Sequence, residues 1–209
     1  MSDNDNFCDD EYEEKNEFTD FELKKNLFEK RIVIMSKEIT EDSVAELRGD
    51  LISLSLKSTD PITLYINSVG GEVDPALSLY DLITNNLRAP VNGIVGPRCF
   101  SSALIVLQAC KKRCALPNSK FFVHPCEAEI SFKSNIIVKK KVTEINKLLS
   151  SLQERFNRIL SKRSNLSLGQ INKLSQQSNG EGALFYSEVA KKYGFIDSIM
   201  KGEEKYKIF

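Results

Sequence analysis

The chain has 209 residues, 41% of them hydrophobic, with 29 basic side chains against 29 acidic ones. That length suits one domain with an appendage, and the even charge supplies no overall field to hold nucleic acid or an anionic membrane. No apolar run approaches the roughly 18 residues of a membrane span, and no basic-then-apolar leader opens the chain, so a cytoplasmic protein is expected.

Ten acidic residues lie between Asp3 and Glu22, opposed by Lys15 alone. Such a block repels itself, and residues 1–24 are read as a flexible acidic segment. Phe28–Ile34 reads as a strand. Thr40 caps a helix that begins at Glu41 and turns Val44, Leu47, Leu51 and Leu54 to one side. A second strand follows Pro61 and ends near Ile66, before a tight Gly70-Gly71 turn. Asp74 is the expected cap of the next helix, with Pro75 in its first turn. Val91–Val95 reads as a third strand and Ser102–Cys110 as a buried helix. Cys114-Ala-Leu and Phe121–Val123 frame a fourth strand around Pro117-Asn118.

From Val138 to Leu160 the apolar period is helical. A helix over about 137–163 is long for one small domain, and it can pack on its own core or protrude as an arm toward another subunit. Ser187–Tyr193 reads as a last helix stopped by Gly194, before a final strand at Phe195-Ile196. Strands alternating with helices argue for βαβ units with right-handed crossovers, hence an α/β fold. One domain over 25–204 and a tail over 205–209 account for the chain. The five cysteines (Cys8, Cys99, Cys110, Cys114, Cys126) show no Cys-x-x-Cys spacing, so free thiols are expected rather than a metal site.

The chemistry centres on His124, the one histidine of the chain. Acyl transfer needs a nucleophile, a base and donors for the developing oxyanion. Ser101 stands just before a helix, where backbone N–H groups are unpaired. Gly70-Gly71 follows a neighbouring strand and lets the backbone lie close to an extended peptide. Each element also has a plainer reading: a glycine turn, a serine cap and a structural histidine. Their order brings three strand ends together, where open α/β sheets bind ligands.

Ile62-Thr-Leu-Tyr-Ile-Asn-Ser-Val-Gly-Gly71, Leu79-Tyr80-Asp81, Ala115-Leu-Pro-Asn-Ser119 and His124-Pro125 resemble the proteolytic subunit of the caseinolytic (Clp) protease family. The resemblance runs from about Phe28 to Ile199 and implies a ClpP/crotonase-like fold with a long protruding handle helix. It implies an ATP-dependent Clp protease subunit, a serine endopeptidase acting on unfolded proteins or peptides. Seven subunits form a ring, homo- or hetero-oligomeric, and an AAA+ unfoldase ATPase of the ClpX, ClpA or ClpC type delivers the substrate. The peptidase itself uses no cofactor or metal, and neither nucleic acid nor membrane is a partner. The family's N-terminal segment lines the axial entrance, so the acidic arm would stand at a pore.

Carried over by position, Ser101 takes the nucleophile's place, with Ser102 the near alternative; a shift by one would put Phe100 there. His124 takes the general base's place. Gly71 and Ser102 would supply the oxyanion N–H groups, with Gly70 and Pro125 at the substrate. The triad aspartate falls on Gly182 or Ala183, and neither is acidic; Glu181 is the carboxylate nearby in sequence. Pro97 and Phe100 stand where the family has a glycine and a small residue, and Pro125 follows His124 directly. Cys126–Phe132 lacks the glycine-rich strand that lines the substrate and joins two rings. These departures leave three expectations: a Ser-His dyad, a Ser-His-Glu variant, or a catalytically impaired structural subunit (a pseudoenzyme). An acyl-CoA enzyme of the crotonase type shares the superfold but has no place for Ser101 and His124.

Overall fold

The computed structural model describes residues 22–127 and 138–201. The acidic residues up to 21, Cys8, the 128–132 part of the segment compared with the glycine-rich strand, and the tail lie outside them. A helix α1 covers residues 22–29 and leads into β1 (Ile32–Met35). Phe28 is thus helical rather than the start of a strand; Arg31, at φ 59°, makes the turn between the two.

α2 (Glu41–Lys57) begins where its signals place it. Thr40 and Ser43 exchange side-chain and backbone hydrogen bonds in a capping box, and Val44, Leu47, Leu51 and Leu54 are buried. β2 (Ile62–Ser68) alternates buried and half-buried residues, so Ile62, Leu64 and Ile66 face the core. α3 (Val73–Asp81) starts just before the expected Asp74 cap; Glu72 occupies the cap position and makes no side-chain bond there. One turn of π-helix (Leu82–Asn86) extends α3.

β3 (Val91–Phe100) is the organising strand, about twice the expected length. Its first half pairs with β2 and β4 (Lys112–Ala115), and its last residues, Arg98–Phe100, pair with β5 (Lys120–Val123). The segment expected to form one strand around Pro117-Asn118 is therefore two, laid end to end along β3. The switch coincides with a bulge, since Ile66 and Ser68 oppose Val95 and Cys99. Pro97 sits inside that irregular stretch, where its missing N–H removes no ladder bond.

The sheet runs β1-β2-β3-β4-β7, all parallel, with β7 (Ser198–Ile199) at one edge. β5 adds β6 (Ala183–Tyr186) antiparallel, a strand the sequence reading does not contain. The final strand also lies slightly later than Phe195-Ile196, which instead are buried core residues. α4 (Ala103–Ala109) is buried on every side; six of its seven residues are apolar, and the polar one, Gln108, donates to Phe195 O and accepts from Arg113.

α5 (Val138–Arg163) has 26 residues, a span of about 39 Å. Phe156 and Leu160 anchor its C-terminal part in the core, while no residue over 141–155 is buried. The helix thus reaches beyond the body that holds its end. α6 (Leu168–Ser175), also absent from the sequence reading, carries its own capping box of Ser167 and Gln170 and packs on α5. α7 (Ser187–Tyr193) ends at Gly194 as expected.

Candidate active site

Ser101 occupies the step between β3 and α4 at φ 52°, a left-handed conformation that costs a serine on the order of 1 kcal/mol or more. Its N–H donates to Phe122 O at 2.8 Å, which continues the β3–β5 pairing one residue past Phe100. This strained strand-to-helix turn presents the side chain at the helix start. Ser101 is half-buried, and its hydroxyl makes no hydrogen bond among the described residues.

Ser102 behaves differently. It is fully buried, and its hydroxyl donates to Gly71 O at 3.0 Å. That bond ties the β3–α4 turn to the turn after β2. Gly70 packs directly against this turn: a Cβ there would lie 2.6 Å from Phe100 O and 2.8 Å from Ser101 Cβ. With φ of 90° and 143°, Gly70 and Gly71 adopt backbone that side-chain-bearing residues rarely enter. Gly70 N–H donates to Ser68 Oγ, whereas the N–H groups of Gly71 and Ser102 find no acceptor among the described residues.

His124 follows β5, two residues beyond the Phe122 that anchors Ser101. Its ring stacks on Phe122 at 5.1 Å, and Phe122 in turn meets Phe100 edge-on at 5.9 Å. Phe100, where the resemblance leads one to expect a small residue, thus becomes part of an aromatic row leading to the histidine. A shallow cavity of about 520 Å³ opens beside this row, lined by Phe100, Phe122 and Leu184 with Arg98 and Lys120 at its polar side. Pro125, half-buried, directs the chain away from the strand end.

On the far side of His124 stands β6. The β5–β6 register pairs Val123 with Ala183, which places Gly182 against the histidine. Gly182 has φ 112°, and a Cβ on it would lie 2.5 Å from Val123 O and 2.7 Å from His124 Cβ. Both positions on which a triad aspartate could fall therefore adjoin the end of β5, and neither bears a carboxylate. Glu181 is exposed and lies farther than 4 Å from the imidazole nitrogens. Sequence reasoning missed Glu127, whose Oε1 is 3.8 Å from His124 Nδ1. Its spacing, three residues past the histidine, was the signal available, although the turn that makes it useful was not.

The Clp protease family model matches residues 14–203. The chain belongs to the Clp protease family. A ClpP1 mutant from Listeria monocytogenes has a similar structure, with a TM-score of 0.74 at 24% identity over 87% of this chain and 98% of that one. At that identity the likeness speaks for the fold, and the family assignment supports a ClpP-like serine-peptidase type of protein. Among the described residues there is no group of metal-ligating side chains and no helix long and apolar enough to cross a membrane.

Proposed function

We propose that this chain is a proteolytic subunit of an ATP-dependent Clp protease, with Ser101 as nucleophile and His124 as general base. The observation that carries this reading is Ser101 itself, held at positive φ at a helix start, its hydroxyl bonded to none of the described residues. The hydroxyl attacks the peptide carbonyl, His124 accepts its proton and then passes it to the leaving amine. The N–H groups of Gly71 and Ser102 stabilise the oxyanion, and Gly70 admits the substrate backbone beside them. Extended peptide lies across this turn and past Pro125. Subunits assemble into a homo- or hetero-oligomeric ring, and an AAA+ unfoldase threads unfolded protein into it in the cytoplasm. The acidic N-terminal segment stands at the entrance.

A second reading is a catalytically impaired structural subunit. Gly182 favours it, because the neighbour of His124 across the β5–β6 pair carries no side chain at all. A fluorophosphonate probe separates the two. In the active subunit it labels wild-type protein and fails on Ser101→Ala. Absence of label on assembled wild-type protein, with a competent Clp subunit labelled alongside, establishes the structural reading. Label that persists in Ser101→Ala moves the nucleophile to Ser102 or elsewhere, and then Glu181 and the dyad require reassignment.

A further inference from the structure

The turn after His124 holds a carboxylate that the chemistry above leaves unused. Glu127 Oε1 lies 3.8 Å from His124 Nδ1. Nδ1 is the nitrogen a triad carboxylate holds, which leaves Nε2 to face the hydroxyl. The β6 side offers only Gly182 and Ala183 at that point, so the ring's one ion-pairing partner among the described residues comes from its own strand end.

The turn itself is tied down. Cys126 N–H donates to Gln153 Oε1 at 2.7 Å, Gln153 Nε2 donates to Asn157 Oδ1 at 2.9 Å, and Asn157 Nδ2 donates to Asn172 Oδ1. Asn157 is 2% exposed, so this row of amides runs through the packed α5–α6 interface. It ends on the residue immediately before Glu127. The backbone from which Glu127 reaches the ring is therefore set by the core rather than by the loop alone. Catalytic hydrogen bonds are often long in the absence of substrate and tighten in the substrate or transition-state complex.

We propose that Glu127 is the positioning carboxylate of this site, in place of the aspartate that β6 lacks. The proposal rests on the Ser101–His124 reading. Glu127 does not touch the substrate; it keeps the proton on Nδ1 and stabilises the imidazolium that forms at Nε2. Its side chain is 74% exposed, so its contribution is modest and weakened by salt.

Two measurements on the full-length protein test this. His124 is the single histidine, so its two ring nitrogens are identified directly by nitrogen-15 NMR with the imidazole neutral. Glu127→Ala is expected to move the proton from Nδ1 toward Nε2. It is also expected to slow fluorophosphonate labelling of Ser101 about fivefold, and raising the salt should slow the wild-type protein but not the variant. An unchanged tautomer population, an unchanged labelling rate, or a larger loss in Glu181→Ala than in Glu127→Ala overturns the proposal. Should wild-type protein not label at all, the Ser101–His124 reading fails by itself. The tautomer then decides: a shift shows Glu127 orienting His124, and no shift overturns it.

Discussion

At Gly182 the backbone itself leaves no room for a side chain. A side chain there would meet Val123 O at 2.5 Å while the residue holds φ 112°. Gly182→Asp is therefore expected to destabilise the protein by about 2–3 kcal/mol rather than restore a triad; a fall in Tm without faster labelling of Ser101 is the result to look for. Ser102 offers a different check. Its hydroxyl joins the two turns that would form the oxyanion site. Ser102→Ala removes one buried hydrogen bond and exposes Gly71 O to no partner, which costs on the order of 1–2 kcal/mol. Chemical denaturation measures that cost, while label on Ser101 should persist at a reduced rate.

Among the elements, β4 and β7 are secured by one buried cation. Arg113 donates to Asp197 through its guanidinium and its backbone N–H, to Gln108 on α4, and to Arg163 O at the end of α5. Burial pushes the Asp197 carboxyl up, but the Arg113 hydrogen bonds outweigh this and hold it below its ordinary value. A depressed carboxylate stabilises the fold above its unfolded pKa of about 4, and that stabilisation disappears as pH falls through the lower folded value. Asp197 is half-exposed, so the penalty for leaving Arg113 unpaired is discounted by solvent. Asp197→Asn should cost about 1–2 kcal/mol at neutral pH. Its denaturation midpoint should converge with that of the wild type in acid, below the carboxylate range.

At the scale of the molecule, the core of the described residues buries two thiols completely. Burial pushes Cys110 up to about 12 and Cys99 well above its ordinary value. Thiolate, not thiol, reacts, so both should resist alkylation until global unfolding, with mass spectrometry locating the label. Cys126, only partly buried, is pushed up to about 11 and should react slowly in the native state.

α2 was legible in the sequence because capping and apolar period agree over one contiguous stretch. The Ser101, His124 and Gly70-Gly71 positions were legible as a family pattern in fixed order. β6 was not: Ala183–Tyr186 is four residues long, and its strand character comes from pairing with β5, a partner roughly 60 residues away. α6 has a sequence-local capping box, yet its eight residues give little periodicity to read. The splitting of one expected strand into β4 and β5 depends on the bulge in β3, which no local composition announces.

Sequence by itself determined the class of fold, the balanced charge, and the residue types available for acyl transfer. Those follow from composition and from periods that repeat within one element. Tertiary structure decided that the Ser102 hydroxyl is engaged by Gly71 O, that Gly182 faces His124, and that Glu127 reaches Nδ1 while Glu181 does not. The reason is physical: strand register and packed amides set distances between groups far apart in the chain, and a site is made of those distances.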